Sequence, residues 1–571
     1  MERAKEANRN EFGRKKRKSD NGEAMKMRNE KRKEKEDKNI SGNLRFYVSS
    51  ENDKVEIFDM IDRAKLLLSE RVSLVSNAMI LREVFQFYLS NNGGAPDQQN
   101  EGETESFKPY LRSPRDNCME DICLISESSL KNLVAGISDH GLHCKERVEI
   151  DSFDTFGHVQ KLTLKCKDMH TIKIDTSSRL PGGKFLVNLG VLHGIYSSGL
   201  RYAQYERFAK YAGIGVIPES AFHEVQDMFC DVTDDAVKES VSDALDDEVG
   251  TTVLECDNVD DYKGITIVSD ARHGWRKNSR FSDIISLGYR TNKVVGYAVV
   301  SHGDDPCSQR HELHGVKKLY EGLSEKGANV HIHGHDRNVS INNYLKTQYP
   351  EVTNANDTWH ATKNVAKELK KVCSGPQYQH GKTWHGELSD KSASIKTHTY
   401  YAIKNCDGSP DKLRANLDNI IPHYQNIHSK CAAESRCRTD PNYIPSKVIL
   451  TDKVAIKLLD GAVKNLQIYK TPADYCSCID THYVECFNNA CLIHVYHDKR
   501  IVYSDKEYKR RTAMAILDWN ENIDRDYTSI TYTEDARNPR RKTGKKHLKP
   551  KTGHYCANLL SRILDILYAN Q

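Results

Sequence analysis

The clearest pattern in the chain begins at Gly264. Gly264-Ile-Thr-Ile-Val-Ser-Asp270 is a short apolar strand ending on an acid. Phe281–Tyr289 and Lys293–His302 read as two more strands, joined by the turn-like Arg290-Thr-Asn-Lys293. Apolar positions then switch to helical spacing over His311–Lys326 (Leu313, Val316, Leu319, Tyr320, Leu323), with Gly327 as the stop. Ala328–His333 predicts a fourth strand running into Gly334-His335-Asp336. Asn338–Leu345 predicts a helix, Val352–Ala355 a fifth strand and Trp359–Lys371 another helix. The order is βββαβαβα.

That order is the one of an RNase H-like α/β fold, a mixed five-stranded core in which strands one and four lie side by side. Asp270 closes strand one and Asp336 follows strand four. One Asp at a strand end is commonly a turn former or helix cap; two at adjacent strand ends can hold divalent cations. Carboxylate oxygens are hard ligands suited to Mg2+ or Mn2+. The third acid expected of such a site is Glu485, which shares one helix face with Asn488 and Asn489 at three- and four-residue spacing. Asp357, just before Trp359-His360, reads as a supporting residue, and Asp304 and Asp305 as loop acids. Between these pieces, residues 375–470 read as an all-helical insertion.

The flanks are less regular. Residues 1–40 read as a disordered basic tail, and 41–180 as a helical and small β-rich region containing the apolar helical pattern Val55–Leu89, the linker Asn91–Ser106 and strand-like pieces such as Val159–Cys166. Residues 181–250 are helical, suited to DNA binding or dimerisation. Tyr202, Tyr205, Phe208 and Tyr211 form an aromatic stripe there, and Gly213–Pro218 allows a helix-turn-helix. The α/β core is divided into 251–374 and 471–535, and 536–571 holds a basic stretch and a closing helix, Tyr555–Tyr568.

Charge changes this picture only locally. The net charge is +4, but residues 1–40 hold fifteen Lys/Arg against nine Asp/Glu, so the rest of the chain is slightly acidic. Polyanion contact must therefore come from patches. Arg14-Lys-Lys-Arg-Lys18 fits nuclear import or phosphate contact. Arg537–Lys551 carries eight Lys/Arg and no acid, with Arg540, Arg541, Lys542, Lys545 and Lys546 at its centre, and suits sequence-independent tracking of a phosphate backbone. No apolar run reaches membrane-span length and no secretory signal opens the chain, so a reducing compartment is expected for the 16 cysteines.

Several of these segments together carry a resemblance. Ser269-Asp-Ala-Arg-His273, Gly327-x-x-Val-x-x-x-x-His-Asp-Arg337, Asp357-x-Trp-His-x-x-Lys363, Val484-Glu-Cys-Phe-Asn488, Tyr508-Lys-Arg-Arg-x-x-x-Ala515 and Asp518-Trp-Asn520 resemble eukaryotic cut-and-paste DDE transposases, especially the Kolobok type. The similarity spans roughly residues 186–522. It implies a nuclear endonuclease and strand transferase that uses two Mg2+ or Mn2+ ions held by Asp270, Asp336 and Glu485 to cut transposon ends and join the 3′ hydroxyl to target DNA. A homo-oligomer would pair the ends, and Arg272, Lys363 and Arg511 would contact phosphates. A domesticated, non-cleaving DNA-binding protein is the alternative; the intact acid triad argues against it.

Two further clusters offer metal chemistry. His331-x-His333-x-His335 projects alternate histidines to one face, as a zinc hydrolase would require, but its order and missing partners fit such enzymes poorly. In the insertion, His423-x4-His428-x2-Cys431-x5-Cys437 supplies four mixed ligands for structural Zn2+, in a chain with 24 histidines where clustering by chance competes. Cys144 and Cys166, with His170 close by, read as buried thiols rather than half of a zinc ribbon, as do Cys476, Cys478, Cys486 and Cys491.

Overall fold

The computed structural model describes residues 122–274, 279–495, 502–535 and 538–569. The basic tail with Arg14–Lys18, the pattern at Val55–Leu89 and the linker Asn91–Ser106 lie outside them.

The described chain opens with α1 (Glu127–His143) and an antiparallel meander of β1 (Glu149–Phe156), β2 (Val159–Lys165) and β3 (Thr171–Asp175). Three helices follow: α2 (Leu186–Ser197), α3 (Tyr202–Ala212) and α4 (Glu219–Leu254). Gly213, at φ 67°, ends α3 in the left-handed conformation that glycine adopts without strain. The aromatic stripe of α3 is not one face: Tyr205 is buried while Phe208 and Tyr211 are exposed. Steps of three residues fall short of a full turn, so each ring lags the last around the helix. Helix α4 buries residues along its length, from Phe222 to Glu248. That face is packed on the core, and the other is acidic, with Asp227, Asp231, Asp234, Asp235 and Asp243 exposed, which repels a phosphate backbone and goes against the helix-turn-helix expectation that α4 could enter a groove.

The central sheet is mixed and five-stranded. Its strands are β4 (Ile265–His273), β5 (Phe281–Gly288), β6 (Val294–Ser301), β7 (Val330–His335) and β8 (Thr353–Asn356), in spatial order β6-β5-β4-β7-β8. β4, β5 and β6 are antiparallel neighbours, whereas β7 and β8 run parallel to β4. The parallel pairs require crossovers, supplied by α5 (His311–Glu325) and α6 (Val339–Gln348). Strand β5 is buried at every position, as a strand covered on both faces must be. Ile284 packs with Val316 and Leu319 of α5, while Ile285 and Leu287 join the core containing Val237 and Val241 of α4. The approach of α5 is close enough that a Cβ on Gly315 would come within 2.3 Å of Ile284.

After β8, α7 (Thr358–Cys373) leads into an insertion whose described residues form helices and no strand: α8 (Ser392–Lys404), α9 (Pro410–Asp418), α10 (Ile420–Tyr424), α11 (Arg436–Thr439), α12 (Lys453–Asn465) and α13 (Gln467–Lys470). It has its own core, in which Val365 and Leu369 of α7 pack with Ile395, Leu413, Leu417 and Leu459. The chain then returns to the sheet. Ile479 reaches Gly334, where a Cβ would meet its side chain at 2.3 Å, and the Ile479 carbonyl accepts from Thr358 N at 3.1 Å. This return delivers α14 (His482–Ala490) to β4 and α15 (Asp505–Asn522) to α4.

The basic stretch is not a loop. β9 (Tyr527–Asp535) and β10 (Asn538–Leu548) pair as a two-stranded antiparallel hairpin, and α16 (His554–Ala569) closes the chain against α4. The β-branched and aromatic run Tyr527-Thr-Ser-Ile-Thr-Tyr-Thr explains the outgoing strand. Among the described residues, no helix is long and apolar enough to cross a membrane.

One buried acid ties α4 to the sheet. Glu248 is fully buried; it accepts from Arg290 N at 3.0 Å, Thr291 N at 2.9 Å and Thr291 Oγ1 at 2.8 Å, so it caps the β5–β6 turn. Glu248→Ala strands two backbone donors and should lower unfolding stability by about 2 kcal/mol or more. Urea denaturation checks this, and Glu248→Gln should retain part of the loss.

Candidate active site

Alternation along β4 sends Ile265 and Ile267 to the α5 face and Val268 and Asp270 to the opposite face, where α14 packs. Asp336 follows the last residue of the parallel neighbour β7, and Glu485 lies one turn into α14. Asp270 is surrounded by negative charge. Burial, then the charges of Asp336, Glu312 and Glu485, push its carboxyl up to about 7, partly opposed by a hydrogen bond from Ala271 N. Asp336 is also raised, first by burial, with His360 pulling it down and Asp357 and Glu485 pushing it up.

The polar side chains between the acids hold them in place. Asn488 donates from Nδ2 to Asp270 Oδ2 at 2.8 Å, so the helix that carries Glu485 also fixes Asp270. His360 Nδ1 lies 3.0 Å from Asp336 Oδ1 and 2.5 Å from Asp357 Oδ2, and its Nε2 lies 3.8 Å from Glu485 Oε1. Asp357 is the N-cap of α7, accepting from Trp359 N and His360 N, which aims the imidazole at the acids. Glu312 accepts from Asn338 Nδ2 at 2.8 Å, and burial raises its carboxyl. Asp336 and Glu485 thus share His360, and Asp270 feels the charge of both, while the tightest group, with ligand atoms all within 4.8 Å of one another, is Asp336, Asp357 and His360. His360 and Glu312 were not singled out as site residues. The spacing Asp357-x-x-His360 within one helical turn was a usable signal for the first; nothing local marked the second.

The expected phosphate contacts divide sharply. Arg272 is mostly buried, paired with the fully buried Asp283 and donating to the Val495 carbonyl at 3.4 Å. Arg511 is 1% exposed and donates to the carbonyls of Gly199, His494 and Leu200 and to Glu507. Both are structural ties, which corrects their assignment to DNA. Lys363 is exposed, with Nζ 4.6 Å above the Trp359 ring, one turn after His360 on α7. Lys545 and Lys546 are exposed on β10; the side chains of Arg540, Arg541 and Lys542 lie outside the described residues.

The histidine strand does not offer a hydrolase site. His333 uses both ring nitrogens, on Ser269 Oγ at 2.8 Å and Tyr320 OH at 3.1 Å, and His335 uses both on the Asp336 carbonyl and Asn354. All four nitrogens are turned to protein partners, so coordination of zinc would break these contacts, whatever His331 does.

The insertion cluster does assemble. Ligand atoms of His423, His428, Cys431 and Cys437 all lie within 4.8 Å of one another. Cys431 Sγ is 3.5 Å from His423 Nδ1 and 3.6 Å from His428 Nδ1, while His428 Nε2 bonds Asn426 Oδ1 at 2.9 Å, leaving Nδ1 facing inward. The described cysteines are all free thiols.

No protein-family model matches the chain, and no curated protein matches it.

Two outcomes follow from this geometry. Between about pH 4 and 7 the folded, metal-free protein keeps a proton on Asp270 that the unfolded chain has released, so stability should fall as pH rises through that window. Asp270→Asn should flatten that part of the Tm-against-pH curve, measured in chelator; an unchanged slope would show that Asp270 is not the titrating group. In the insertion, Cys431→Ser and Cys437→Ser should each remove one equivalent of zinc from the purified protein, measured by elemental analysis.

Proposed function

We propose that the chain is a divalent-metal DNA endonuclease and strand transferase of the DDE transposase kind, built on an RNase H-like core. The observation that carries this reading is the placing of Asp270, just past the last parallel pair of β4 with β7, beside Asp336, just past β7, with Glu485 supplied by a helix from the far side of a long insertion. The strand order β6-β5-β4-β7-β8, three antiparallel strands followed by two parallel ones, supports the fold part of the reading.

The site fits Mg2+ or Mn2+: its donors are hard oxygens, and their mutual repulsion and burial are unfavourable until a cation neutralises them. Bound metal would supply Lewis acidity at the scissile phosphate and lower the pKa of the attacking water or 3′ hydroxyl. The protein's own residues have separate tasks. Asp270, Asp336 and Glu485 would hold the ions, Asn488 orients Asp270, and His360 bridges the Asp336 and Glu485 sides. Exposed Lys363, one turn after His360 on α7, suits the strand being cut. On the β9–β10 hairpin, exposed Lys545 and Lys546 suit a neighbouring stretch of backbone, with Thr531 opposite Lys545 across the ribbon. Pairing two DNA ends would call for a homo-oligomer, and Arg14–Lys18 for nuclear import. Zinc in the insertion would be structural.

Mn2+-dependent nicking of supercoiled DNA tests this. Asp270→Asn, Asp336→Asn and Glu485→Gln should each reduce nicking to background, and Asn488→Ala should cost about 10–100-fold. Wild-type rates in the three acid variants would overturn the site; folded, DNA-binding protein with no nicking in any form would favour a non-cleaving DNA-binding role instead.

A further inference from the structure

A second His/Cys cluster lies in the small N-terminal module, independent of the acid site. His140 and Cys144 stand four residues apart, at the end of α1 and just after it, while Cys166 and His170 flank the turn between β2 and β3. Ligand atoms of all four lie within 4.8 Å of one another. We propose that these residues form a structural Zn2+ site with a Cys2His2 donor set.

The distances suit a tetrahedral ion. Zn–S bonds of about 2.3 Å at the tetrahedral angle put two sulfurs roughly 3.8 Å apart; Cys144 Sγ and Cys166 Sγ are 4.0 Å apart, both buried and unbonded. The His140 and His170 rings meet edge-on with centroids 5.6 Å apart, and His140 Nε2 is buried with no hydrogen-bond partner. The connecting turn is tight. Met169 takes φ 65°, Met169 N donates to Cys166 O at 3.0 Å, and Cys166 N donates to His170 O at 3.2 Å, so the Cys and His of the turn face the same point. Asp168 Oδ2, 3.5 Å from Cys144 Sγ, stands outside the four as a neighbour. A mixed sulfur and imidazole set in this arrangement selects Zn2+ over the hard cations expected at the carboxylates.

The module also needs such a tie. Among its residues α1 buries only Ser129, and β1 is exposed along its whole length. A helix and a three-stranded meander with so little apolar burial are marginal alone, and small domains of this kind are commonly held by a metal. The ion would join the end of α1 to the β2–β3 turn, so that binding energy becomes folding energy for the module.

The test is zinc content of the full-length purified protein, with the insertion cluster as an internal reference. Cys144→Ser and Cys166→Ser should each remove one equivalent while the equivalent lost in Cys431→Ser is retained; unchanged content overturns the proposal. Should those variants fail to fold, His140→Cys decides. Reconstituted with Co2+, it should keep the metal and gain thiolate-to-metal charge-transfer absorption relative to wild type, which an unchanged spectrum would contradict. A Cys144–Cys166 disulfide found by mass spectrometry in protein purified without reductant, together with absent zinc, would also overturn it. None of these readouts depends on nuclease activity.

Discussion

The structure is organised around a repulsion. Asp270, Asp336 and Glu485 are drawn from β4, the end of β7 and α14 into one partly buried place, where Asp336 and Glu485 raise the cost of ionising Asp270 and Glu485 that of ionising Asp336. Burial and like charge both disfavour the anions, so rigid elements must hold them together. The parallel pairing of β4 with β7 fixes two of the acids through backbone hydrogen bonds. The third comes from α14, positioned by Ile479 against Gly334 and by Asn488 on Asp270. His360 lies between the acids as their one close imidazole partner among the described contacts.

A second buried network keeps this arrangement from relaxing. Asp283 on β5 takes Arg272 from β4, Tyr508 OH at 3.0 Å and Thr512 Oγ1 at 3.2 Å from α15. Arg511 from the same helix caps carbonyls of the α2–α3 connection and of the segment after α14. Tyr508, Arg511 and Thr512 therefore work as internal ties between the returning chain and the elements it packs on. A buried charge left without its partner costs several kcal/mol, which gives Arg511 a structural role that has nothing to do with phosphate.

Much of the core was legible because two periodicities alternate cleanly there. The β4–β8 pattern was visible from apolar runs of strand length, and α5 and α7 from apolar residues at three- and four-residue spacing. β7 lies about two residues later than the pattern suggested, because Ala328 N still bonds Leu323 O as the end of α5. Asp336 was legible as a strand-end residue and Glu485 from its company on one helix face, but Asp270 does not end its strand: β4 runs on to His273 against β5, and only its parallel pairing with β7 stops at Ser269. Arg272 and Arg511 were not, since a sequence shows charge but not the carbonyls and carboxylates that absorb it. α1 escaped notice because its Leu130, Val134 and Ile137 are exposed and its spacing is diluted by Ser and Gly. The four N-terminal metal ligands were half seen: Cys166-x3-His170 was visible, but pairing it with His140-x3-Cys144 needs the helix that the pattern hid.

The most direct check on the shared site is Fe2+-directed backbone cleavage of the full chain, in which Fe2+ with ascorbate and peroxide generates radicals at the bound ion. Cuts clustered beside Asp270, Asp336 and Glu485, lost together in Asp336→Asn and suppressed by Mg2+, are the expected result. Cuts beside only one of the three, or a pattern that Asp336→Asn leaves intact, would contradict a single cation site built from all three acids.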